Sequence, residues 1–196
     1  MNTPVSIRFL LFLLGFFSGS ISFGQCAGLT EEIDPFDSTR VILHKPVNLG
    51  GLVASRFALE DGDKMVEEAK ALVSYADNDS LESFFLTLAL LEWDYQVLDA
   101  GPSVSLLLGN QSVVALETVE DRGTLDSKTN MRRYEAVCVI PVDLFYALHQ
   151  FKVTKMSVHY RSGHKRTISL FPDQQNRLQV SLRCVGEKAG WLPINP

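Results

Sequence analysis

The chain has 196 residues, 46% of them hydrophobic and 21% charged, with 18 Lys and Arg against 23 Asp and Glu. This ordinary globular balance excludes a disordered, collagen-like or disulfide-dense scaffold. A net charge of −5 gives no global attraction to nucleic acid or to an anionic membrane.

The N-terminus reads as a secretory leader. Arg8 precedes the apolar run Phe9–Phe17, and Ser22 and Gly24 stand at the small-residue positions before a cut ahead of Gln25. The run is about half the ~20 residues a membrane-spanning helix needs. Residues 1–24 are therefore expected to be removed, leaving 172 residues with a balance of −6, because only Arg8 is lost. Export to the periplasm, cell surface or medium is the expectation, with no transmembrane helix after cleavage. The remainder, 25–185, is long enough for one sound core, and 186–196 reads as a C-terminal tail in which Trp191 can fold back.

Oxidising conditions favour disulfides, and Cys138 with Cys184 is the pair expected; the alternative is that both are small buried hydrophobes. Cys26 stands where a lipid-modified cysteine would, but Ser22-Phe23-Gly24-Gln25 lacks the small residue expected immediately before it.

Along the mature chain, Asp34-Pro35 marks an extended lead-in. Val41–Leu43 and Leu52–Leu59 read as strands around the His44–Gly51 loop. Over 63–76 the spacing of Met65, Val66, Ala69, Leu72, Val73 and Ala76 predicts an amphipathic helix, with β-branched Val66 and Val73 leaving a strand open. The run Phe84–Leu91 predicts a strand. Residues 104–108 and 112–116 predict a hairpin whose turn, Gly109-Asn110, tolerates positive φ. Residues 120–133 read as a long loop or flap, 134–140 as a strand ending at Pro141, and Asp143 as the opening of a short helix. Met156, Val158 and Tyr160 alternate with polar residues up to Ser162-Gly163, and Ile168 and Leu170 continue beyond it, which is the clearest hairpin. Over 173–185 strict alternation favours a strand, whereas Pro172 and the spacing of Leu178, Leu182 and Val185 favour a helix.

These elements predict a single α+β domain, mainly antiparallel β-sheet folded as a sandwich or partly open barrel, with two or three short helices. No P-loop, Gly-x-Ser-x-Gly elbow or dinucleotide-binding glycine pattern occurs, and no cofactor or metal site is expected. His44, His149, His159 and His164 lack the convergent partners that a metal requires. Glu92 and Asp94 around Trp93 suggest a sugar-binding or acid/base face; the alternative is the outward side of a strand edge.

Charge is segregated. Residues 60–82 hold Glu60, Asp61, Asp63, Glu67, Glu68, Asp77, Asp79 and Glu82 against Lys64 and Lys70, a balance of −6. Residues 152–166 hold Lys152, Lys155, Arg161, Lys165 and Arg166 with no acid, a balance of +5. Lys155, His159, Arg161, His164, Lys165 and Arg166 are thus the candidate binding residues, for an anionic glycan, a lipid head group or a protein surface but not nucleic acid. The competing reading is a solvated face that balances the acidic segment.

Asp34-Pro35-Phe36 before Arg40-Val41-Ile42, the Leu106-Leu107-Leu108-Gly109-Asn110 hairpin, Pro141-Val142-Asp143-Leu144 ahead of Val153-Thr154-Lys155-Met156, and the close on Arg183-Cys184-Val185 carry a resemblance. In this order they resemble small secreted β-rich proteins of unknown function from Gram-negative bacteria, over the lead-in and residues 83–185, departing over 60–80. The resemblance implies a terminal helix over 173–185 and no catalytic residues. The function expected is a non-catalytic binding or envelope-associated module; the alternative is a secreted hydrolase without a local motif.

Overall fold

The computed structural model describes residues 26–59, 62–78, 80 and 82–193. The expected leader, residues 1–24, and the last three residues lie outside them.

In chain order the elements are β1 (Leu29–Ile33), β2 (Arg40–His44), β3 (Val47–Leu59), β4 (Gly62–Asp77), β5 (Glu82–Glu92), β6 (Gly101–Leu108), β7 (Val113–Thr118), β8 (Thr124–Asp126), β9 (Met131–Ile140), α1 (Val142–Gln150), β10 (Val153–His159), β11 (Lys165–Ser169) and α2 (Pro172–Ala189). Every strand pairing is antiparallel. The sheet runs β1-β2-β4-β5-β9-β7-β6-β10-β11, with β3 also on β4 and β8 also on β9. It is an open sheet, since β1 and β11 end the path without pairing to each other.

The sheet and both helices supply the core. On β5, Phe84, Leu86, Leu88 and Leu90 are buried at every second position, and Leu106, Met156 and Ile168 join them from the far strands. Helix α2 packs on α1 and on β2, β3, β4 and β10. Its start is fixed by Gln174, whose side-chain oxygen accepts from the Phe171 N–H at 3.0 Å and whose amide donates to the Gly50 carbonyl at 2.8 Å. Gly190 ends it in the left-handed conformation at φ 86°, where a glycine carries no Cβ penalty.

The helix expected over 63–76 is a strand. The residues buried there are Ala69, Ala71, Val73 and Tyr75, a period of two, whereas Leu72 and Ala76 face the other way and are only half-buried. The physical reason is tertiary: β4 bonds β5 along one edge and β3, then β2, along the other. A strand held on both edges tolerates apolar residues on either face, and that blurs the period.

Residues 120–133 are not a free flap, since β8 pairs with β9. Gly123 enters β8 at φ +65°, and a Cβ there would stand 2.6 Å from the Tyr134 ring. Gly123→Ala is therefore expected to cost at least about 2 kcal/mol, from the left-handed backbone and the clash together, read as a fall in the urea midpoint. The hairpin expected at 104–116 forms, but its positive φ falls on Gln111 at 68° and not on Gly109 or Asn110. Asn110 instead accepts from the Ser112 N–H at 3.1 Å and holds the turn with its side chain.

Residues 173–185 are helical, and the helix continues to Ala189, past the expected start of the tail. Trp191 folds back with its ring 5.0 Å from Phe84 and its indole N–H donating to Glu82 at 2.9 Å. The disulfide is Cys26–Cys184, not Cys138–Cys184. Cys138 lies wholly inside the sheet opposite Leu86 as a free thiol, and burial pushes its pKa up to about 11. Among the described residues no helix is long and apolar enough to cross a membrane.

Candidate functional site

The β10–β11 hairpin divides the six candidate binding residues among different surroundings. His159 pairs with Lys165 and Lys155 with Ser169, so Lys155, His159 and Lys165 project from one exposed strand face. Arg166 lies opposite Val158 on the inward face and binds Glu68 at 2.8 Å. Arg161 at the turn reaches Asp99 and Glu120. His164 lies over the Tyr160 ring with its Nε2 3.7 Å from Glu92. Three of the six are thus engaged by acids of the same chain. Among the described residues Lys155 and Lys165 make no ion pair.

The histidines do not assemble an acid/base centre. Among the described residues only His164 meets a carboxylate, and Glu92 is itself buried and accepts from the Tyr160 hydroxyl at 3.1 Å. His149 sits on α1, where its carbonyl accepts from Gln179. Among the described residues no group of three or more His, Cys, Asp or Glu is placed to hold a metal.

A cleft of about 480 Å³, within the range of small-molecule sites, opens elsewhere. Three elements form it. The Cys26–Cys184 disulfide pins the first turn, with Ala27, to α2. The β2–β3 connection brings His44, Lys45, Pro46 and Val47, and the outward face of α2 supplies Asn176, Arg177 and Val180. The Lys45 N–H donates to the Gly28 carbonyl at 2.9 Å, and the Lys45 stem lies where a Cβ on Gly28 would stand, 2.9 Å from Cδ.

His44 is the buried polar residue of this cleft, 4% exposed. Its Nδ1 is 3.2 Å from the Lys45 carbonyl, which can only accept, and 2.9 Å from the Ser181 hydroxyl, whose own proton goes to the Arg177 carbonyl at 3.0 Å. These partners assign the proton to Nδ1. Nε2 is then a buried acceptor with no hydrogen-bond partner among the described residues. Burial is the main cause that lowers the His44 pKa, and the nearby Lys45 charge adds to it. Both keep the ring neutral, as an acceptor must be. Ser181 is not set up as a nucleophile: it is 1% exposed and meets the ring nitrogen that carries the proton.

Lys45 and Arg177 line the same cleft. Arg177 pairs with Asp173 one turn back on the exposed face of α2, whereas Lys45 makes no ion pair among the described residues. The arrangement can hold an anionic group near Lys45, beside apolar walls from Val47 and Val180, and a donor that displaces the atoms covering Nε2 would find a free acceptor at His44. No sequence signal pointed to it, because His44 and Ser181 are 137 residues apart and belong to no motif.

No family model, curated protein or solved structure matches this chain.

Proposed function

We propose that the chain is an exported, non-catalytic binding module, and that its ligand is a small organic anion bearing a hydroxyl or N–H donor, taken into the cleft between the first turn, the β2–β3 connection and α2. The observation that carries this reading is the orphaned Nε2 of His44. A buried acceptor left unpaired costs about 1–3 kcal/mol, a cost removed when a donor arrives. Lys45 beside it supplies the charge for the anion. Export is supported by the Cys26–Cys184 disulfide, of a kind that persists in oxidising compartments, and by the leader pattern in the sequence.

The ligand is tested by titrating the mature protein with 3-hydroxybutyrate, N-acetylalanine, butyrate and inorganic phosphate while following the His44 ring nitrogens by NMR. The two carboxylates that carry a donor are expected to shift the Nε2 resonance, and butyrate, which lacks one, to shift it less. Lys45→Gln should weaken binding roughly tenfold, the scale of one charge-assisted contact. An Nε2 resonance that none of the four compounds moves would sink the proposal. Export is tested separately, by expressing the full chain in a Gram-negative host and sequencing the N-terminus; a product that retains residues 1–24 overturns it.

The same histidine sets a pH dependence. With its folded pKa below the ordinary 6.5, the unfolded chain binds more protons than the folded one as pH falls through 6.5. Stability is therefore full above that value and declines below it, until the folded pKa is reached. His44→Gln is expected to flatten this decline in urea titrations between pH 7 and 5; an unchanged slope assigns it to other groups.

A further inference from the structure

The sequence feature around Trp93 is not used by the cleft. Glu92 and Asp94 do not form one face: Glu92 points inward to Tyr160, whereas Asp94 is exposed and binds Arg56 at 2.7 Å. What faces solvent is a pair of rings, Trp93 at 50% exposure and Tyr95 at 55%. They lie two residues apart where the chain leaves β5.

We propose that Trp93 and Tyr95 form a stacking platform for the neutral sugar rings of a glycan. Three observations carry this, and none depends on the cleft.

The backbone that follows the two rings is held in place. The Gln96 N–H donates to the Tyr134 hydroxyl at 2.7 Å, which in turn donates to the Gln96 carbonyl at 3.0 Å, and Leu98 bridges to Asp121. Large rings on a fixed backbone lose little entropy when a ligand settles on them.

Each ring also has a guanidinium over it. Arg56 lies 5.8 Å from the Trp93 centroid and Arg132 4.8 Å from that of Tyr95. With one face of each ring under a cation, the exposed half is what a ligand meets. It is a flat apolar surface of the kind that the C–H face of a pyranose covers. The Asp94–Arg56 pair at its edge offers the planar donors and acceptors that ring hydroxyls use.

The charge points to a neutral ligand. Asp94 offsets Arg56, Glu120 offsets Arg122, and Asp99 with Glu120 holds Arg161, while Arg132, in no ion pair among the described residues, is held by the Gly123 carbonyl at 3.1 Å. A polyanion would have to break these pairs to gain contacts, whereas a neutral saccharide leaves them intact.

The test uses the mature protein carrying Trp191→Phe. The chain has two tryptophans, and Trp191 packs on Phe84 away from the platform, so emission then reports Trp93 alone. Cellohexaose, xylohexaose, laminarihexaose and chitohexaose are titrated, with heparin as the polyanion. At least one neutral hexasaccharide is expected to shift the emission saturably and with little dependence on salt. By calorimetry, Tyr95→Ala and Trp93→Ala should each weaken that binding roughly tenfold, the scale on which aromatic stacking is lost, and Trp93→Phe should retain most of it. Both rings are exposed, so these variants should melt like the parent. If no neutral hexasaccharide binds, if binding survives in the Trp93→Ala/Tyr95→Ala double variant, or if only heparin binds and salt abolishes it, the proposal is overturned.

Discussion

Reducing the Cys26–Cys184 disulfide, or replacing Cys184 by Ala, is expected to destabilise the fold by about 2–5 kcal/mol, toward the upper end of what one bridge supplies. The two cysteines are 158 residues apart, so the bridge ties almost the whole described chain into one loop. Chain-entropy arguments give the largest effect to such long loops. The loss is not evenly distributed. The bridge holds the turn before β1 against α2, and β1 is an edge strand bound, among the described residues, only to β2. The urea midpoint should fall under reductant, and hydrogen exchange should rise first in β1 and the first turn. Ligand binding in the cleft should weaken at urea concentrations well below unfolding, because Ala27 forms one wall. Thiol titration checks the premise. Cys138 is buried, so the native protein should react slowly, the denatured unreduced protein should show one thiol, and the denatured reduced protein all three. A midpoint unmoved by reductant would contradict the structural role of the bridge. The bridge also bears on lipid attachment at Cys26, because a sulfur in a disulfide cannot also carry a thioether. A lipid-modified protein would have to leave Cys184 free.

What the sequence made legible follows the physics of each element. The β10–β11 hairpin was readable because one face meets the core and the other meets water, so Met156, Val158 and Ile168 alternate cleanly with polar residues. β5 was readable as an apolar run because it lies between β4 and β9. β4 was misread for a related reason: with partners on both edges, its half-buried outer face carries Leu72 and Ala76, and these completed a false helical spacing. Helix α2 was ambiguous because Leu178 and Leu182 fit both periods, Val180 and Cys184 completing the alternation of a strand and Val185 the spacing of a helix; the Phe171–Gln174 cap and Pro172 settle its start. The disulfide was not legible. Burial of Cys138 follows from its place in β9, and the proximity of Cys26 to Cys184 depends on the docking of α2 beside β1 and β2. The cleft depends on that same docking, which no local pattern encodes.

The charge segregation seen in the sequence is partly consumed inside the molecule. The acidic and basic segments meet at Glu68–Arg166, while Arg161 finds its acids on other loops. What is left outward is Lys152 and a sparse row, Lys155, His159 and Lys165, in place of a dense cationic surface. The polar chemistry is gathered instead where distant segments converge, at His44 beneath α2 and at the Arg56–Asp94 pair beside Trp93.

The docking of α2 gives the second large effect. Phe145 on α1 is fully buried, stacked on Phe84 at 4.1 Å and edge-on to Trp191 at 6.0 Å. Truncating it removes a ring from the contact between both helices and β5, so Phe145→Ala is expected to cost about 3–5 kcal/mol. Its neighbour on α2 is Gly186, where a Cβ would stand 2.5 Å from the Phe145 ring. Gly186→Ala alone should therefore destabilise by about 1–3 kcal/mol through overpacking, against the usual helical preference for Ala. In the Phe145→Ala background the ring is gone, and the new methyl meets only the Leu192 side chain, 3.0 Å away, which can shift into the vacated space. The same Gly186→Ala change should then be nearly neutral or stabilising. The double-mutant cycle would show a coupling of about 1–3 kcal/mol, as expected for residues in direct contact. Tyr146→Ala, on the half-exposed side of the same helix, should cost far less. Additive effects of the two core substitutions in urea titrations would mean that Gly186 is not where the helices meet.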